Sequence, residues 1–171
     1  QLLSFAIDRY RGMEEKPAHF FQFCFYISFF PQLVAGPILR FPQVNERIRR
    51  IAEFMPKRDD LIVAVVLFVC GLAVKVLLAD TLGRYLGPMT TKPDTLDVIS
   101  RLFVVFGYSN QIYFDFYGYS LMAMGLGRVF GFQFPENFRM PYTAPNPKVF
   151  WRQWHVTLSF WIRDYLYVPL G

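Results

Sequence analysis

Residues 61–79, Leu61-Ile62-Val63-Ala64-Val65-Val66-Leu67-Phe68-Val69-Cys70-Gly71-Leu72-Ala73-Val74-Lys75-Val76-Leu77-Leu78-Ala79, carry one charge, at Lys75. A helix needs about 20 predominantly apolar residues to cross the hydrocarbon core of a bilayer. The run is apolar all round rather than along one stripe, which is the pattern of a helix surrounded by lipid or by other helices. Lys75 lies near its far end, where a long side chain is expected to snorkel to the interface.

The composition generalises this reading. Of 171 residues, 54% are apolar, 19% aromatic and only 18% charged. Soluble domains carry about 25% charged residues. The expected fold class is therefore all-α and integral to the membrane. The net charge of +5 does not describe a soluble basic face, because the basic residues stand in the junctions between apolar runs. That distribution excludes a nucleic-acid binder. Lys and Arg counts, which orient spans, make residues 40–60 the cytoplasmic candidate, with a short amphipathic helix on the membrane surface in its middle. Cys24 and Cys70 are isolated in apolar surroundings and read as small hydrophobes; no metal-ligand set is assigned.

Working outward, residues 80–100 hold Gly83, Gly87, Pro88 and Pro93 and read as an outward loop with one interfacial turn. Residues 102–126 form the next span. Residues 20–39 are uncharged, but Pro31 and the Gly36-Pro37 pair interrupt them. They read either as broken, with Phe29 to Pro37 a re-entrant element whose one polar side chain is Gln32, or as a single span with a kinked end. Residues 1–7 read as the tail of an apolar helix, with Asp8 to Gly12 its polar exit, 13–17 as a charged loop, and His19 as the start of the next helix. After Arg128, Phe134 to Phe138 and Met140-Pro141-Tyr142 are expected to be extended, because a residue before proline avoids the helical region. An interfacial or re-entrant helix is expected over 148–168, and the whole of 1–171 reads as an internal fragment of one larger membrane domain.

Two groups stand out chemically. Asp115 lies at the middle of the 102–126 span, with Gln111 one turn away on the same face and Tyr113 nearby. A carboxylate at that depth costs several kcal/mol, so it either works in a wet site or fixes packing by accepting hydrogen bonds. Phe150 to Tyr165 contains all three tryptophans and His155, one of two histidines. On one continuous helix, Trp151, Trp154, His155, Leu158, Trp161, Ile162 and Tyr165 share a face. The imidazole then points into aromatic surroundings, as a satisfied core histidine or as a working one.

Three blocks together resemble the membrane-bound O-acyltransferases: Tyr26 to Ile38, with its Phe-Phe-Pro-Gln-Leu-Val-Ala-Gly-Pro centre; Gln111 to Ser120; and Pro135-Glu136-Asn137-Phe138 leading into Phe150-Trp151-Arg152-Gln153-Trp154-His155 and Trp161 to Tyr167. The likeness is greatest to the alginate O-acetyltransferase branch and more distant to teichoic acid D-alanyl transfer proteins. It implies a many-helix membrane bundle with broken and interfacial helices, set in a bacterial inner membrane. It also implies transfer of an acyl group, acetyl above all, from a cytoplasmic thioester such as acetyl-CoA to a polysaccharide hydroxyl outside, aided by a periplasmic partner protein, with no bound cofactor. His155 matches the motif histidine and Asp115 the intramembrane aspartate, both expected to be catalytic. Gln111, Tyr113, Asn137, Trp151, Arg152 and Trp154 are the expected substrate contacts. The chain departs from the family pattern at Tyr117, Leu121 and Gln153, and the family's second histidine is expected beyond Gly171. From the residues alone, a transporter lined by Asp115, Gln111 and the Pro31–Pro37 element, or a catalytically degenerate scaffold, are the alternatives.

Overall fold

The computed structural model describes residues 1–12, 19–33, 36–91 and 96–171. The 13–17 loop, the Val34-Ala35 pair and Lys92-Pro93 therefore fall wholly or partly outside the described residues. Helices make up the described chain, and its only extended pairing is one isolated bridge.

Two long helices form the frame. The first runs without interruption from Arg58 to Thr91. It comprises α4 (Arg58–Ala73), a π-helical stretch (Val74–Ala79) and α5 (Asp80–Thr91). The second is α6 (Val98–Val129). Asp59 and Asp60 in the first turn of α4 complement the positive end of its dipole. Among the described residues, Arg58–Thr91 is the one helix long and apolar enough to cross a membrane. Val65, Val69 and Leu77 on it are exposed, which suits a helix bathed in lipid or covered by further helices.

The two helices meet along small residues. A methyl added at Gly71 would come 2.6 Å from the Gly118 carbonyl oxygen, and one at Gly125 would come 2.6 Å from that of Ala64. Ala64 and Gly71 on α4 face Gly118 and Gly125 on α6, each pair seven residues apart, so backbone lies on backbone. Near one end, Asp60 and Arg128 close the seam with an ion pair at 3.3 Å.

The expected 80–100 loop is corrected: helix continues through Pro88 to Thr91. Packing overrides the breaker. Leu86, 1% exposed, lies against Gly107 of α6, while Thr90 and Thr91 donate their hydroxyls to the carbonyls of Gly87 and Pro88. Lys75 is corrected too. It does not snorkel free; it bonds Asp80 at 2.6 Å and Asp115 at 3.2 Å.

Against one end of this pair lie α1 (Leu2–Tyr10), α2 (Phe20–Ser28) and α3 (Phe41–Arg49). The 20–39 stretch does not make one kinked span. Helix α2 ends at Ser28, Phe29 is extended, and a 3₁₀ turn follows over Phe30–Gln32. Tyr26, Phe29, Leu39, Phe41, Val44 and Ile48 form the apolar core with Ala123, Phe132 and Phe134. Asp8 is no polar exit. It sits inside α1, buried, and accepts the Tyr165 hydroxyl at 2.6 and 2.7 Å. Arg40 reaches Asp164 at 2.5 Å, tying the start of α3 to the same region. Gly131, at φ +76°, ends α6 in the left-handed conformation that glycine adopts without strain, and Phe132 N–H bonds back to the Gly127 carbonyl.

Met140-Pro141-Tyr142 is a further correction: Met140 is left-handed at φ 51°, and Pro141–Thr143 is a 3₁₀ turn. The 148–168 helix is not continuous either. It divides into α7 (Pro147–Gln153), α8 (Val156–Ile162), a π-helical turn (Arg163–Tyr167) and α9 (Val168–Leu170). The break falls at Trp154-His155.

Candidate active site

The break has an identifiable cause. Residues 137–139 run alongside it, joined through one isolated bridge. Val156 N–H donates to the Asn137 carbonyl at 2.9 Å, Arg139 N–H donates to the Gln153 carbonyl at 2.9 Å, and Phe138 bridges Trp154 antiparallel. The backbone groups that a continuous helix would satisfy internally are satisfied across this bridge. Trp154 is extended and His155 left-handed, at φ 42° and ψ 58°. A non-glycine residue held there costs on the order of 1–3 kcal/mol, and such residues cluster at functional sites.

The conformation sends adjacent side chains in opposite directions. Trp154 enters an aromatic box, its ring 5.1 Å from Phe138, 5.6 Å from Phe150 and 6.1 Å from Tyr113. His155 turns to Phe116, whose ring meets it edge-on at 4.7 Å. His155 also lines a cavity of about 520 Å³. Leu2, Leu3, Ile27, Leu33 and Ile38 give it apolar walls, and Gln32 a polar one.

Asn137 holds this arrangement from behind. It is 1% exposed, and its amide nitrogen donates to the Ser120 hydroxyl at 3.1 Å. Its amide oxygen accepts from the Thr157 hydroxyl at 2.6 Å, and Thr157 in turn accepts from Ile38 N–H at 3.0 Å. Helices α6 and α8 and the segment after the Pro31 break are thus joined through two side chains, Asn137 and Thr157.

His155 Nδ1 is buried and has no hydrogen-bond partner among the described residues, and neither has Gln32 Oε1. The Gln32 amide nitrogen donates to the Tyr26 carbonyl at 2.7 Å, which fixes the amide so that its oxygen is the free end. His155 lies outside the two long helices, and burial holds its imidazole below the ordinary value. It is therefore neutral near pH 7 and able to accept a proton.

The expected site residues do not all gather here. Tyr113 and Asn137 lie at the break, Tyr113 against the Trp154 ring and Asn137 against Thr157, and none of Tyr113, Asn137 and Trp154 lines the cavity. Trp151, 59% exposed, and Arg152 lie on the outer surface of α7. Asp115 pairs with Lys75, and Gln111 packs on α5, where a methyl at Gly83 would come 2.7 Å from its Nε2. Both therefore face the neighbouring long helix, whereas Phe116, about 100° further round α6, faces His155. Gln32 was singled out as the polar residue of an uncharged run but assigned no role. Thr157 and Ser120 gave no signal of their own, because a hydroxyl acquires its partners only when helices meet.

Comparison with known proteins bears on what this cavity does. Residues 10–171 match the model of MBOAT, the membrane-bound O-acyltransferase family. The chain is 38% identical over 175 residues to a probable alginate O-acetylase of Pseudomonas syringae pv. tomato, covering 99% of this chain and 32% of that protein. It is 37% identical over 154 residues to a peptidoglycan O-acetyltransferase of Helicobacter pylori, covering 90% of this chain and 29% of that protein. A teichoic acid D-alanyltransferase of Bacillus subtilis is 30% identical over 155 residues, covering 91% of this chain and 39% of that protein. The chain thus spans about a third of the length of the curated relatives it matches.

Proposed function

Because the chain belongs to the membrane-bound O-acyltransferase family, we propose that its protein moves an acetyl group from a cytoplasmic thioester, acetyl-CoA or another acyl thioester, to a polysaccharide hydroxyl on the outer side of a bacterial inner membrane. Relatives named as alginate and peptidoglycan O-acetyltransferases support the acyl group and the acceptor class. A multi-pass bundle and a periplasmic partner protein belong to the same reading.

One observation carries it: His155 is fixed by a strained backbone at the wall of an apolar cavity, neutral and with Nδ1 unpartnered. In the reaction the acceptor oxygen forms a bond to the thioester carbonyl carbon, the carbon–sulfur bond breaks, and the hydroxyl proton passes by way of a base to the leaving sulfur. His155 serves that proton movement, together with the second histidine that the family resemblance places beyond Gly171. The apolar side chains of the wall accept the acyl chain. Asp115 enters as half of an ion pair with Lys75, holding the helix that carries Phe116.

The test is transfer of labelled acetyl from acetyl-CoA to polysaccharide by the full-length protein in vesicles. His155→Ala is expected to lower the rate by about 10²–10⁴-fold, the contribution of a positioned acid–base group. A wild-type rate in correctly folded H155A protein overturns the assignment.

A further inference from the structure

Arg47 of α3 is held in an unusual way. Its guanidinium lies 3.6 Å from the centroid of the Phe54 ring. Its Nε–Nη2 edge lies against Gly131, where an added methyl would overlap Nη2 and crowd Nε. Ring and backbone fix the plane of the group. Its Nε and Nη2 are buried and have no acceptor among the described residues. These are the two nitrogens whose N–H bonds run side by side along one edge, the edge that takes a phosphate or carboxylate in bidentate fashion. Arg47 as a residue is half-buried, but an edge of its charged group closed off from both water and an acceptor is unfavourable, and the site calls for an anion.

The neighbourhood offers none. Arg47 lines a cavity of about 530 Å³ that has no aspartate or glutamate in its wall. Glu46, the nearest acid in sequence, is turned to Arg50 at 3.8 Å. Leu39, Val44, Phe132, Phe134 and Pro135 make one side of the cavity apolar, and Gln43 and Gln133 supply neutral polar groups. None of these residues lines the His155 cavity, so the two sites are separate.

We infer that the Arg47 cavity binds a phosphate oxyanion, gripped by the Nε–Nη2 edge once the guanidinium turns off Gly131 into the cavity it lines. Two sources present that chemistry: the headgroup of an anionic phospholipid, its chains along the apolar wall, or a soluble polyphosphate. The half-apolar lining and the basic 40–58 segment favour the lipid. The inference does not depend on the acyl-transfer reading.

The experiment uses full-length protein in neutral detergent, as wild type, Arg47→Gln and Arg47→Lys. Thermal unfolding is followed while titrating phosphatidylglycerol against phosphatidylcholine, and sodium pyrophosphate against sodium chloride at equal ionic strength. Wild type is expected to be stabilised by one anionic probe, and R47Q to need at least about tenfold more of it, the loss expected for a charge-assisted pair. R47K, a point charge without the fork, falls between them. A response to phosphatidylglycerol identifies the lipid source and a response to pyrophosphate the soluble one. Wild type indifferent to both probes overturns the proposal, as does equal half-saturation in wild type and R47K. Should R47Q fail to fold, the comparison of R47K with wild type decides.

Discussion

The Thr157 hydroxyl donates to the side-chain carbonyl of Asn137 at 2.6 Å, and Asn137 in turn accepts, through its backbone carbonyl, from Val156 N–H at 2.9 Å. The two residues bracket His155 from one side. Together they stop the chain from continuing as a helix through Trp154 and aim the imidazole at the cavity. Asn137 is thus a positioning residue, acting through the residue it holds.

Asn137→Ala is expected to destabilise the protein by roughly 1–3 kcal/mol, because Thr157 and Ser120 lose a buried partner. Transfer should fall as well, since His155 loses its orientation. Thr157→Val should cost less. The N137A/T157V pair should be non-additive, as residues sharing one network are. Unfolding in detergent measured alongside acetyl transfer checks this; strictly additive losses would separate the two residues.

The left-handed backbone at His155, φ 42°, gives a second expectation. Glycine adopts that region without strain, whereas alanine costs roughly 1–2 kcal/mol there. H155G should be more stable than H155A by about 1 kcal/mol once glycine's greater unfolded-state entropy is subtracted, while both lose transfer. H155A proving the more stable of the two would show that the strain is relieved in solution.

Asp115 and Lys75, 3.2 Å apart, should couple. Asp115→Leu and Lys75→Met are each expected to destabilise the α4–α6 pair, and the double variant to cost less than their sum, with a coupling of about 0.5–3 kcal/mol. If Asp115→Asn abolishes transfer in stably folded protein, Asp115 works in the chemistry and does not only hold the helices.

The pH dependence follows from burial. The His155 value in the folded protein lies below the ordinary 6.5, so between the two values the unfolded chain binds more protons than the folded one. Its contribution to stability is complete above 6.5 and is lost as pH falls through the lowered value. The acid limb of transfer activity should therefore lie below 6.5, read from the rate profile of kcat/KM. Asp164 behaves alike at lower pH: its hydrogen bond from Arg163, helped by Arg40, holds the carboxyl at about 2 against an ordinary 3.8. Its tie to α3 is complete above 3.8 and lost only as pH drops towards 2. An acid limb centred above 6.5 would show His155 to be solvated in the working protein.

Hydrophobic patterning settled much in advance. The apolar run at 61–79, with Lys75 its one charge, and the prolines flanking Gln32 announced a membrane helix and a broken element. Each depends on local chemistry: apolar length and loss of a backbone donor. The family resemblance likewise rested on residues adjacent in sequence. Pairing between distant segments lay beyond reach. A period of 3.6 put Trp154 and His155 on one face of a single helix, and Asp115 on the same helix as the aromatic residues facing His155. The break at His155 exists because residues 137–139 satisfy its backbone better than a further turn would. Asp115 is turned to the neighbouring long helix because Lys75, expected to snorkel, pairs with it at 3.2 Å. Sequence alone fixed which groups the chain owns and which segments are apolar. Only tertiary structure decided which polar groups find partners, because a hydrogen bond or ion pair between remote residues is worth making only once packing has removed the water that would otherwise satisfy both.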